Sequence, residues 1–140
     1  LIFTSWVVCL SPNDYKEYVL PHSKRLIDNI SGRVPIIHFG TGNPELVPLM
    51  AEAGGDVMAL DWRTPLIECW DKIGVKSVQG NLDPIILCAD RSAVERKATE
   101  LMQEVNGRPG HIFNLGHGII PETPVDNVKA LVDLVQGYPR

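Results

Sequence analysis

The sequence predicts an α/β fold built on a parallel sheet, and three observations predict it. Its apolar runs are short and unbroken, without the alternation of a sheet that has one wet face. A small polar residue followed by proline comes after each run, and the stretches beyond those prolines carry helical apolar spacing. Strands that alternate with helices about five times belong to a parallel sheet.

The first run, Leu1 to Phe3, leads to Ser11-Pro12, where a helix should begin. A serine hydroxyl can accept a bond from an orphan N–H of the first turn, and a proline at the first helical position loses no bond. Tyr15, Tyr18, Val19, His22, Leu26 and Ile30 are read as the buried stripe of this helix, with His22 a packed residue and Pro21 dividing or kinking the helix. The second run, Pro35 to Phe39, is followed by Asn43-Pro44, and the third, Val57 to Leu60, by Thr64-Pro65. A weaker fourth, Lys76 to Gln79, runs into Gly80-Asn81 and then Asp83-Pro84, ahead of a helix with Val94, Ala98, Leu101, Met102 and Val105 on one face. Ile112 to Phe113 is the fifth, and Thr123-Pro124 opens a last helix with the stripe Val125, Val128, Leu131, Val132 and Val135. Asp14 and Asp126 fall in first turns, where a carboxylate suits the helix dipole.

The residues leave two architectures open, a doubly wound sheet and a barrel. A complete eightfold barrel takes about 250 residues, roughly 31 per unit, so a chain of this length holds four to five units. Leu1-Ile2-Phe3 reads as the inside of a strand with no starting Met before it, and we expect further residues upstream.

The 140 residues are 44% hydrophobic and 21% charged, with a mean hydropathy of +0.00, which excludes a disordered or fibrous chain. Thirteen Lys and Arg against seventeen Asp and Glu give a net charge of −4 with no basic run, a poor match to nucleic acid. The opening LIFTSWVVCL is too short to span a bilayer and has no basic flank, so neither a membrane segment nor a signal peptide is expected. Cys9, Cys69 and Cys88 show no metal-ligand or disulfide spacing, which fits a reducing, cytoplasmic setting.

Function in either architecture belongs at the C-terminal ends of the strands, and the polar residues gather there. The segment PIIHFGTGNPE, with Asp61 about twenty residues on, imitates a dinucleotide fingerprint. Glu45 stands where its third glycine belongs, however, and a carboxylate there would repel a pyrophosphate. In Asn114-Leu115-Gly116-His117-Gly118 a histidine lies between glycines that leave room for a ligand, and an imidazole can donate a hydrogen bond or a proton. Ser5 lacks a nucleophile-elbow context and is read as a hydrogen-bond donor lining a pocket. Asp83 reads as a helix cap, Asp61 as a residue that orients a neighbour, and Arg63 as either an ion-pair partner or a contact for an anion.

Through TSWVVCLSPNDYKEYVLPHSK, VPIIHFGTGNPELVPLMAEAGGDVMALDWRTP, VQGNLDP and GHIFNLGHGIIPETPVDNVKALVDLV the chain resembles the C-terminal half of the uroporphyrinogen decarboxylase family. The resemblance implies a partial (β/α)8 TIM barrel, about the last four to five β/α units, over residues 1–140. It also implies a cytoplasmic, usually dimeric carboxy-lyase of haem biosynthesis that works without metal or organic cofactor. Such an enzyme converts the four acetate side chains of uroporphyrinogen to methyls, giving coproporphyrinogen and carbon dioxide. The family's carboxylate-binding arginines and its catalytic aspartate belong to the N-terminal half, so no catalytic residue carries over to this chain. Ser5 and His117 match substrate-binding positions, and the chain is expected to be inactive alone. Corrinoid methyltransferases on the same barrel carry a His-x-Cys zinc pair near His38, whereas position 40 here is Gly40. A half-barrel module that works by docking to another chain is the third reading.

Overall fold

In the computed structural model, which describes residues 1–4, 7–42 and 44–139, five strands form one sheet in the order in which they occur in the chain. They are β1 (Ile2–Thr4), β2 (Ile37–Gly40), β3 (Val57–Ala59), β4 (Val78–Leu82) and β5 (His111–Leu115), and every neighbouring pair is parallel. A doubly wound sheet reverses its strand order at a switch point, whereas a barrel adds each strand beside the last. The sequential order therefore settles the open choice in favour of consecutive units of a barrel wall. Five such strands do not close on themselves, so β1 and β5 form the two edges.

Helices α1 (Pro12–Asp14), α2 (Leu20–Ile30), α3 (Val47–Ala53), α4 (Leu66–Ile73), α5 (Arg91–Val105) and α6 (Val125–Gly137) fill the connections. Right-handed crossovers place such helices on one face of the sheet. The register makes that face legible. Ile2, His38, Met58, Val78 and His111 pair across in one row, and Phe3, Phe39, Ala59, Gln79 and Ile112 in the next, so the two rows point to opposite sides. Met58 and Val78 join Met50, Trp70, Val94, Ala98 and Leu101 in the main core, which identifies the first row as the helix-facing one. The second row lines the concave face, and its outermost members, Phe3 and Ile112, are 58% and 43% exposed.

Of the residues read as caps before proline, Ser11 and Asp83 cap, Thr64 and Thr123 do not, and Asn43 lies outside the described residues. Ser11 caps α1 by accepting from the Asp14 N–H, and Asp83 accepts from the Ile85 N–H. The turn after Asp83 is only a 3-10 segment, Pro84–Cys88, and the long helix starts later, at Arg91. Thr64 and Thr123 cap nothing: both are buried, and α4 and α6 begin after Pro65 and Pro124 without a side-chain cap.

Two apolar stripes are also displaced. Between α1 and α2 the chain makes a π-helical turn, Tyr15–Val19, in which the Leu20 N–H reaches back five residues to the Tyr15 carbonyl. That turn takes up Pro21, which sits in the first turn of α2. The extra residue in the turn rotates the following face, so Ser23 and Ile27 are buried while Tyr18, His22 and Leu26 are exposed. In α6 the buried side is Ala130 and Leu131, flanked by Val128, Leu134 and Val135, whereas Val125 and Val132 face outward. The α5 stripe is buried as read. No described helix is long and apolar enough to cross a membrane.

Candidate functional site

The C-terminal ends of β2 to β5 meet around Asp61. Its side chain is 1% exposed, and donors from two strand-end loops converge on it. Oδ2 accepts from the Gly42 N–H at 2.6 Å and from Arg63 Nη1 at 3.0 Å. Oδ1 accepts from the Arg63 N–H at 2.9 Å and, more weakly, from the Thr64 hydroxyl at 3.4 Å. The Gly42 contact is possible because Gly42 turns with φ +83, a conformation that residues with a Cβ rarely adopt.

Asn81, at the end of β4, fastens the same turn from the other side. Its Nδ2 donates to the Asp61 carbonyl at 2.9 Å and to the Thr64 carbonyl at 2.7 Å. One carboxylate and one amide thus hold the loops after β2, β3 and β4 in a fixed relation, with every bond short enough to count.

Arg63 and Trp62 project from this hub. The Arg63 guanidinium lies 3.8 Å from the centroid of the Trp62 ring, while its side chain stays 51% exposed. Just after β5, Gly116 packs directly on the Trp62 backbone, so closely that a side chain at that position would collide with it. This contact delivers His117 to the hub: its ring meets Trp62 edge-on at 6.0 Å and Phe39 at 6.3 Å, and it remains exposed. Nothing stands within 4 Å of where a side chain on Gly118 would begin, so that side of the histidine is open.

A cavity of about 260 Å³ lies on the concave face beneath His117, lined among others by Phe3, Phe39, Ala59, Gln79, Asn114 and His117. Its walls are apolar rings and aliphatic surface with two amides and an imidazole among them, a composition suited to a flat organic ligand with polar edges. On the other side of Trp62 a hollow of about 370 Å³ faces α5 and is lined by Lys97, Glu100 and Glu104.

His38, which precedes the glycine loop, is on the opposite face. Its Nδ1 meets the Gly54 carbonyl at 3.3 Å, and it is fully buried. Burial holds its pKa below the ordinary imidazole value, only partly offset by hydrogen bonds to the Gly54 and Met50 backbone. Its neighbour on the same face, Gly40, gives its side-chain space to Met50. His111 likewise faces the helices, and burial lowers its pKa against a 2.7 Å bond to the Gly80 carbonyl. Among the described residues no group of three His, Cys, Asp or Glu side chains could hold a metal ion.

The structure thus brings His117, Asp61, Arg63 and Asn81 together, and Asp83 stands apart as the cap it was read to be. Ser5 lies outside the described residues. The role of Asp61 as a hub exceeds what the sequence reading gave it. The signal was present, because an aspartate that accepts from the N–H two residues on makes an Asx turn, and Asp61-Trp62-Arg63-Thr64 is such a turn.

A family model described as Uroporphyrinogen decarboxylase (URO-D) matches residues 1–138. Curated relatives agree. The uroporphyrinogen decarboxylase of Sorangium cellulosum is 52% identical over 99% of this chain, and the match covers 40% of that relative. Those of Koribacter versatilis and Carboxydothermus hydrogenoformans are 49% and 50% identical over 98% and 96% of this chain, covering 40% and 39% of their own length. The chain therefore spans about 40% of the length of the curated relatives it matches.

Proposed function

The chain belongs to the uroporphyrinogen decarboxylase family, and from that premise we propose that residues 1–140 are the C-terminal part of a single barrel domain that acts as a porphyrinogen carboxy-lyase. The substrate is uroporphyrinogen III, and its four acetate side chains become methyls, giving coproporphyrinogen III and carbon dioxide. The observation that carries this reading is His117 at the rim of an apolar cavity on the concave face, at the C-terminal ends of the strands where barrel enzymes work.

The chemistry needs no external electron sink. Protonation of an electron-rich pyrrole at a ring carbon makes a cation, and the electron pair of the breaking carbon–carboxylate bond flows into it as carbon dioxide leaves. A second proton completes the methyl group, and loss of the first proton from the ring carbon restores the pyrrole, so that one proton is taken up for each carbon dioxide released. Phe39 and Ala59 give such a cation an apolar wall, and exposed donors at the rim can hold substrate carboxylates. We assign His117 and Ser5 to substrate binding, Ser5 on the family resemblance alone. The enzyme acts in the cytoplasm as a homodimer and uses neither a metal nor an organic cofactor.

A corrinoid-linked methyltransferase is less well supported, because His38 faces the helices and Met50 fills the space beside Gly40 where a thiolate ligand would stand. An assembly module is favoured by one feature, the unpaired outer edges of β1 and β5 in an open sheet. One experiment separates these readings. The matched stretch of the Sorangium cellulosum relative is replaced by these 140 residues, and the chimera and the chain alone are assayed anaerobically for uroporphyrinogen conversion by chromatography of the oxidised products. Conversion by the chimera and none by the chain alone is expected. A well-folded chimera without turnover would overturn the decarboxylase reading.

A further inference from the structure

We propose that Arg63 is a contact for a substrate carboxylate, held in position for that task by Asp61 and Trp62; the assignment rests on the decarboxylase reading above. Five segments link the strand ends to the helices, residues 5–11, 41–46, 60–65, 83–90 and 116–124, and Arg63 is the only lysine or arginine in all of them. Within those strand-end segments a substrate with eight carboxylates finds one permanent cation, Arg63. The hollow behind Trp62 has the opposite character: Lys97 on its wall is paired with Glu100, and Glu104 leaves a surplus of negative charge there.

The geometry around Arg63 is that of a preorganised donor. Its backbone N–H is fixed to Asp61 Oδ1, its Nη1 to Asp61 Oδ2, and its guanidinium carbon lies over the Trp62 ring, 3.8 Å from the centroid. Most of the entropy that a long side chain loses on binding an anion is already lost. Asp61 does not use the whole guanidinium, since a single Nη1 contact leaves the Nε and Nη2 edge unengaged by any described residue, and that pair of parallel N–H groups matches the two oxygens of a carboxylate. With half of the side chain exposed, that edge can be reached from solvent. Trp62 then links the two donors, with Arg63 over its ring and His117 at its edge.

An arginine that merely completed an ion pair with Asp61 would affect stability alone, so the test reads affinity and salt dependence. In the chimera, Arg63→Gln should raise KM for uroporphyrinogen about tenfold with kcat within twofold. It should also flatten the rise of KM between low and high salt, because one charged contact has gone. Arg63→Lys keeps the charge without the fork and should raise KM about threefold while retaining the salt dependence. If both variants lower only the melting temperature and leave KM and its salt dependence unchanged, Arg63 is a structural partner of Asp61 and the proposal falls while the decarboxylase reading stands. If the unaltered chimera folds but does not turn over, that reading falls and this one with it.

Discussion

The two faces of the sheet are made from alternate residues of the same strands, yet they are built to opposite ends. On the helix-facing side His38, Met58 and Val78 are no more than 2% exposed, and every helix from α2 to α6 adds to the packing. On the concave side the central Phe39 and Ala59 are covered, but Phe3 and Ile112 at the edges stand open, and the polar hub of Asp61, Arg63 and Asn81 crowns the strand ends. The packing is concentrated on the first face, and the proposed chemistry belongs to the second. The same division places the two histidines nearest the β2 and β5 loops, His38 and His117, on opposite sides with opposite environments.

Substitutions sharpen this contrast. The largest effect is expected at Trp70, which is 1% exposed and donates from its indole to the Val75 carbonyl: Trp70→Ala should destabilise the chimera by about 3–5 kcal/mol in denaturant unfolding. Next comes the hub, where Asp61→Ala strands the Gly42 N–H and should cost about 2 kcal/mol. Asp61→Asn should recover little of this, since an amide offers one acceptor oxygen where both carboxylate oxygens are now engaged.

Acidification gives a smaller effect. His38 and His111 are held neutral by burial, so their folded pKa values lie below the unfolded value near 6.5. Below that pH the unfolded chain binds more protons than the folded one, and stability should fall as pH drops from about 6.5 toward 5, most visibly in melting temperature. A His38→Gln variant should show a shallower fall, and an identical slope would remove His38 from the account. The smallest effect is expected on the open edges: Phe3→Ser and Ile112→Thr should each change the stability of the chain alone by less than about 0.5 kcal/mol. A loss of several kcal/mol at either would mean that the concave face is closed.

How much of this was legible in the sequence depends on how far apart the cooperating residues are. Strand positions, their parallel order and the α5 stripe follow from local patterns, and so does the cap at Ser11. The stripe after Tyr15 was right at Val19 and Ile30, which pack against the core, and wrong at Tyr18, His22 and Leu26, because a π-helical turn shifts the phase and no residue spacing announces the extra residue. Thr64 and Thr123 failed as caps because tertiary contacts claimed them: Thr64 joins the Asp61 turn, and Thr123 is buried with its hydroxyl 4.0 Å from the Cys88 sulfur. The placement of His117 was legible as a histidine between glycines. What those glycines do was not, because Gly116 is needed for contact with Trp62, more than fifty residues earlier in the chain. Bonds such as Gly42 to Asp61 and Asn81 to Thr64 join segments at the ends of different strands, and no local pattern of residues announces them.

The two histidines give the most direct test of the division between the faces. His117→Gln and His38→Gln are compared in the chimera, each for kcat/KM with uroporphyrinogen under anaerobic conditions and for melting temperature. The account predicts that His117→Gln lowers kcat/KM at least tenfold with an unchanged melting temperature, and that His38→Gln lowers the melting temperature while the folded enzyme keeps its kcat/KM. The reverse pattern, with His117→Gln silent and His38→Gln abolishing turnover at unchanged stability, would contradict it.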